Sequence, residues 1–191
     1  MFKLFLLLIL GGFSSLVFGG QSAYMKCLSS HYQKNHGNVC DQMEIYVNFT
    51  ADGDVGKPGG YAIGVQLANG DVAYWTVSGG WKAPSTNDWV GDAESVDGYH
   101  TSLPASQSFK VYEGSRAALC SMVGGQSFNI WAGYGALQPD KQQETDSLSK
   151  LTTFNNIEHI KETFIRNDGQ QGNKYAVVYT QESSFCSVPH N

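Results

Sequence analysis

The sequence is poor in charged residues, and in basic residues above all. Only 12 lysines and arginines stand against 17 aspartates and glutamates, and the formal net charge is −5. The chain has no basic run, and tight nucleic-acid binding depends on Lys and Arg contacts to phosphates. We therefore predict no nucleic-acid partner and no attraction to an anionic membrane surface.

The sequence also lacks a long apolar segment beyond its first residues. A spanning helix needs about 20 apolar residues, and nothing after the N-terminus approaches that length. At the N-terminus, Lys3 precedes the apolar run 4–10, and small residues follow up to Gly20. These are the parts of a secretory signal peptide. We expect residues 1–20 to be removed after Gly19 or Gly20, giving a secreted or periplasmic product with no membrane insertion after cleavage.

The remaining segment, 21–191, contains no internal repeat and no linker rich in Pro, Gly or Ser. Domains usually run about 100–200 residues, so this length suits one domain with a core of its own. We predict a single secreted domain.

Cysteine is scarce, with only four residues, and no CxxC pair occurs. The Cys and His spacing therefore fits no common zinc pattern. An even number of cysteines in an exported chain indicates two disulfides, for which three pairings are possible. We favour Cys27–Cys40, which closes a short loop, and Cys120–Cys186, which ties the C-terminal tail to the core.

Motifs for the common enzyme classes are missing as well. The sequence has no HExxH, P-loop or GxGxxG pattern. A serine-nucleophile elbow around Ser127 fails at Asn129, where glycine is required. A calcium loop beginning at Asp52 fails at its twelfth position, Ile63, where an acid is required. We predict no catalytic residues, no bound metal and no cofactor.

What the sequence does have is strand patterning. Apolar residues alternate along 43–50, and a period of two places them on one face of a sheet. Asn69-Gly70, a strong hairpin signal, lies between 61–67 and 72–77. The remaining predicted strands are 107–112, 116–122, 127–134 and 174–180.

Helical signals are few and lie mainly in the last third. The polar segment 21–41 suits a short helix or a disulfide-pinned loop. Pro139 can begin a surface helix or exposed loop extending to Lys150. Apolar residues at helical spacing predict an amphipathic helix over 155–165, which the segment 167–169 should end. The chain as a whole is predicted to be mainly β: an antiparallel β-sandwich of about seven strands with one or two short helices in the C-terminal third.

The segment 79–107 is the least regular part of the sequence, and long irregular loops are usually functional. Aromatic faces can stack on sugars or hold apolar groups, and nearby acids accept hydrogen bonds. The candidate ligand-binding residues are therefore Trp81, Trp89, Tyr99, Asp88, Asp92, Asp97 and His100. The alternatives are that the aromatic residues pin the loop to the sheet, and that the acids, with Glu94, are solvated, hold calcium or form a glycosidase pair.

These features favour a non-enzymatic binding or interaction module with a protein or glycan partner. Such a module suits an accessory role on a bacterial surface or pilus. One alternative is a carbohydrate- or cell-wall-active hydrolase that uses the loop carboxylates. The other is a purely structural component of the cell envelope.

Overall fold

The structure is a computed structural model, and it describes residues 20–84, 96–150 and 157–188. These residues form two antiparallel sheets packed face to face, with helices concentrated in the C-terminal part. The predicted mainly β sandwich is confirmed. The strands are β1 (Ser22–Gln33), β2 (Gly37–Thr50), β3 (Gly59–Leu67), β4 (Val72–Thr76), β5 (Gly80–Lys82), β6 (Ser106–Ser115), β7 (Phe128–Ala136) and β8 (Tyr175–Gln181). The helices are α1 (Arg116–Met122), α2 (Pro139–Ser149), α3 (Ile157–Gln171) and α4 (Ser184–Ser187).

One sheet has the strand order β1-β2-β6, and the other has the order β5-β4-β3-β7-β8. The inward side chains of both sheets form one apolar core, as expected for two packed sheets whose residues alternate in direction. The core includes Met43, Ile45, Val47 and Phe49 from β2, Tyr61 and Ile63 from β3, Phe109 and Val111 from β6, and Phe128, Ile130, Ala132 and Tyr134 from β7.

The predictions for two segments were wrong. Segment 21–41 is neither helix nor loop: it holds β1 and the start of β2, which are joined by the turn 34–36. Gly37, the first residue of β2, adopts a φ of 72°. Most side chains of β1 are exposed, so the segment shows no apolar alternation. Segment 116–122 is a helix, not a strand. The Ser115 side chain accepts a hydrogen bond from the Ala118 N–H and caps its first turn.

Helix α3 begins within the predicted segment but passes Gly169 and ends at Gln171. The glycine is needed for packing, because a Cβ at Gly169 would collide with the Tyr134 carbonyl oxygen on β7. Gly135 is equally crowded, since a Cβ there would collide with the backbone of Ile165 on α3. The two glycines allow the helix backbone to lie directly on β7.

Both disulfides join the cysteines that the sequence favoured. Cys27–Cys40 links β1 to β2, and Cys120–Cys186 links α1 to α4. The pairing is consistent with an oxidising compartment.

The two ends of the five-stranded sheet differ, and we name them by the β3–β7 pairing. At the closed end, Gly59 of β3 pairs with Ala136 of β7. At the open end, Leu67 pairs with Phe128.

A network of five polar side chains fills the closed end. Lys174 Nζ lies 2.6 Å from Asp54 Oδ2 and 2.5 Å from Asp168 Oδ2. Lys57 Nζ lies 2.7 Å from Asp54 Oδ1 and donates to Gln138 Oε1 at 2.9 Å. Gln138 Nε2 in turn donates to Asp168 Oδ1 at 2.8 Å. Two lysines thus balance two carboxylates, and the network ties the start of β3 to the end of β7, to α3 and to β8.

Candidate functional site

The structure describes four of the seven predicted ligand-binding residues. Trp89, Asp88 and Asp92 lie outside the described residues, as does Glu94. Trp81, Asp97, Tyr99 and His100 lie within them.

Trp81 belongs to β5 and packs against the core rather than projecting from a loop. Its indole Nε1 donates to the Val111 carbonyl oxygen at 3.1 Å. Val111 is passed over where the β2–β6 register shifts, between Tyr112 and Lys110, so it is the extra residue of a β-bulge. Trp81 thereby bonds the backbone at the point where the regular β2–β6 pairing is interrupted.

Asp97 and His100 are brought together. His100 Nε2 lies 2.7 Å from Asp97 Oδ1, and this contact fixes the orientation of the imidazole ring. The ring also meets Tyr61 edge-on, with centroids 5.3 Å apart, and the backbone of His100 pairs with Gly59. Burial first, and the charge of Asp97 second, raise the pKa of Tyr61 to about 12, so its phenol stays neutral at physiological pH. The pair therefore packs against the core at the closed end.

Tyr99 faces α3. Lys161 Nζ lies 5.8 Å from the centre of the Tyr99 ring, and burial is the main cause that raises the pKa of the Tyr99 hydroxyl. Asp97, Tyr99 and His100 thus lie beside Gly59 and α3, whereas Trp81 lines a different recess, next to Val111.

That recess is an apolar cavity of about 130 Å³ between the two sheets at the open end. Both sheets, the β3–β4 turn and α1 with the residue after it contribute to its wall. The lining residues are Ile45, Val65, Leu67, Asp71, Val72, Ala73, Trp81, Val111, Tyr112, Leu119, Met122, Val123, Phe128 and Ile130. An apolar space of about this size can hold one small apolar group, such as a benzene ring.

The rim of the cavity is partly exposed. Asp71 is exposed, and the Met122 side chain is 57% exposed although it lines the cavity. Methionine is flexible and polarisable, and it adapts to differently shaped apolar partners. The cavity is therefore accessible to an apolar group that arrives from outside.

Helix α1 forms one wall of the cavity and is held in place from the C-terminal side. The Cys120–Cys186 disulfide joins it to α4. Arg116, which is 1% exposed, donates through Nη1 to the Val188 carbonyl oxygen at 2.8 Å and to that of Phe185 at 3.3 Å. A disulfide and hydrogen bonds thus fix this wall to residues 185–188.

Of the residues that line the cavity, the sequence predicted only Trp81 as a ligand-binding residue. Leu119, Cys120 and Val123 are buried with Arg116, and this spacing of three and four is helical. Together with the Ser115 cap, that spacing was the signal for α1. Because 116–122 was predicted to be a strand, the sequence did not predict that a helix forms one wall of the cavity.

Within the described parts of the chain, no helix is long and apolar enough to cross a membrane, and no three His, Cys, Asp or Glu side chains gather as metal ligands. No protein-family model matches the sequence, and no curated protein or solved structure is significantly similar to it.

Proposed function

We propose that the chain is an exported, non-enzymatic binding module that receives one apolar side chain of a partner protein in the cavity at its open end. The apolar cavity with a partly exposed rim is the observation that carries the proposal. The N-terminal leader and the two disulfides support export.

The size of the cavity favours a side chain over a free ligand. Pockets for drug-sized molecules have volumes of about 300–1,000 Å³, whereas this cavity has about 130 Å³. Protein interfaces, by contrast, are commonly anchored by a single aromatic or aliphatic side chain that fills a desolvated pocket. An aromatic ring or a branched aliphatic group fits this description.

The lining also explains how such an anchor would be retained. Trp81 and Phe128 of one sheet and Ile45 of the facing sheet offer apolar contacts from opposite walls, and burying an apolar side chain contributes about 1.5–3 kcal/mol. The rim residue Met122 would cover the anchor once it has entered.

Toluene, which reproduces the phenylalanine side chain, is a direct probe of this cavity. We expect it to shift the NMR methyl signals of Met122 and Val65 in the mature, oxidised chain. Ala73→Leu places three additional carbon atoms in the cavity and should abolish the shifts. Ala117→Leu is the matched control, because Ala117 is exposed on α1, and it should bind toluene as the natural chain does.

A photoreactive side chain at position 122 tests the protein partner. It should cross-link to one segment of a specific envelope protein, and Ala73→Leu should prevent the cross-link while Ala117→Leu does not. The proposal is wrong if toluene leaves the signals unchanged, or if Ala73→Leu and the natural chain bind it equally.

A further inference from the structure

A second recess lies at the open end, on the other side of the Leu67–Phe128 pair. It is a polar depression of about 440 Å³. Its nine lining residues are Gln66, Leu67, Ala68, Gly70, Ser127, Phe128, Asn129, Thr180 and Glu182. Leu67 and Phe128 also line the apolar cavity, so the two recesses share a wall.

The strand register places three polar side chains of the depression in one row. Gln66 on β3 pairs with Asn129 on β7, and Asn129 pairs with Thr180 on β8. Because neighbouring residues of adjacent strands point to the same face, the three side chains cross the sheet side by side.

The hydrogen bonds in this row leave donors and acceptors available. Thr180 Oγ1 donates to Asn129 Oδ1 at 2.8 Å, which leaves the Asn129 Nδ2 group as a donor. In the described part of the chain, no protein group bonds that Nδ2 group, the Gln66 side-chain amide or the Glu182 carboxylate. The depression therefore offers two planar amides and one carboxylate to a ligand.

The charge of the lining restricts the ligand class. Its nine residues include no lysine or arginine, and Glu182 is the one carboxylate among them. An anionic ligand would meet this carboxylate without a cation to offset it. A ligand with neutral hydroxyl groups would donate to Glu182 and exchange hydrogen bonds with both amides.

We infer that this depression binds a neutral sugar ring. The amides of Gln66 and Asn129 and the carboxylate of Glu182 bond its hydroxyl groups. Glycoside hydrolysis by the usual mechanism requires a pair of carboxylates, so a site with one carboxylate binds the sugar without cleaving it. The inference concerns a different recess from the apolar cavity and stands independently of the proposed function.

The test is a titration of the oxidised, mature chain, labelled with nitrogen-15, with glucose, galactose and N-acetylglucosamine. We expect at least one sugar to shift the side-chain NH₂ signals of Gln66 and Asn129 saturably at concentrations up to about 50 mM, the range of weak affinities. Glucuronic acid, which carries a negative charge, should shift them less.

Asn129→Ala removes one donor and should weaken the sugar about tenfold, the equivalent of one hydrogen bond. Asn48→Ala is the matched control, because Asn48 lies on β2 of the other sheet, where it accepts a hydrogen bond from Ser108. It should leave the affinity unchanged. Glu182→Gln is a second test at an exposed position and should weaken binding without affecting the fold.

Ala73→Leu separates the two proposals, since filling the apolar cavity should leave sugar binding intact. The inference is overturned if none of the three neutral sugars shifts the two NH₂ signals. It is equally overturned if Asn48→Ala weakens binding as much as Asn129→Ala does.

Discussion

The closed and open ends of the five-stranded sheet differ in the groups that surround the ends of β3 and β7. Both strands reach the surface of the sandwich at each end. At the closed end, Lys174 donates to both Asp54 and Asp168, which leaves these groups little capacity for a ligand. At the open end, the side-chain NH₂ groups of Gln66 and Asn129 donate to no protein group in the described residues, and they lie on one side of the Leu67–Phe128 pair, with an apolar cavity on the other.

The difference separates groups that stabilise the fold from groups that can serve recognition. Buried charges must be paired, and a paired group contributes to the native state only while its partners remain. Unfilled apolar volume costs stability, because the lining atoms lose van der Waals contacts. The contrast between a filled closed end and an unfilled open end supports our proposal that the open end binds a partner.

The largest expected effect comes from the disulfide that holds the open end. Cys120→Ala with Cys186→Ala opens a 66-residue loop and should lower the free energy of unfolding by about 4 kcal/mol. It should also abolish toluene binding, because α1 loses its link to α4. Urea unfolding and the toluene titration measure the two effects.

Cys27→Ala with Cys40→Ala is the matched comparison. Its 13-residue separation predicts a smaller loss of about 3 kcal/mol. This disulfide links β1 to β2 away from the cavity, so toluene binding should persist. Equal loss of binding in both double variants would contradict the assignment of the α1 wall to the cavity.

The next effect in size is expected at the closed end. Lys174→Met leaves Asp168 without its cation and Asp54 with only Lys57, and it should lower the free energy of unfolding by about 3 kcal/mol. Lys141→Met, at an exposed ion pair with Glu144, should cost at most about 1 kcal/mol. The folded Lys174→Met variant should still bind toluene. Loss of that binding would show that the two ends are not separate.

A smaller effect should appear as a dependence on pH. Burial is the largest single influence on Asp54 and raises the pKa of its carboxyl, but Lys174 and Lys57 together outweigh it and hold the pKa below the ordinary value of 3.8. A lowered folded-state pKa contributes stability that is complete above the ordinary value and is lost as the pH falls below it. The loss should be smaller than that of Lys174→Met, because a protonated carboxyl still forms hydrogen bonds.

Urea unfolding at a series of pH values between 6 and 3 measures this contribution. The Asp54→Asn variant has no titratable carboxyl at this position. Its free energy of unfolding should therefore fall less steeply below pH 4 than that of the natural chain. Identical slopes for the two chains would contradict the assignment.

Where the sheets bury one face of a strand, the sequence predicted the structure well. Segments 43–50 and 61–67 alternate because one side of each strand packs in the core, and both are strands. The prediction failed at β1, whose side chains are mostly exposed, and at α1, where a capping serine and helical spacing were interpreted as a strand. For the candidate site, the sequence predicted Trp81 but not the cavity that Trp81 helps to line.

The sequence by itself determined the predominance of strands, and among three possible cysteine pairings it favoured the one that the structure contains. Each depends on local pattern: a period of two, or the spacing of a few cysteines. Only the tertiary structure decided which residues meet at the open end, because the cavity combines β2, β3, β4, β5, β6, α1 and β7. The row Gln66, Asn129 and Thr180 likewise exists only through strand register, which aligns residues of three strands that are distant in the sequence.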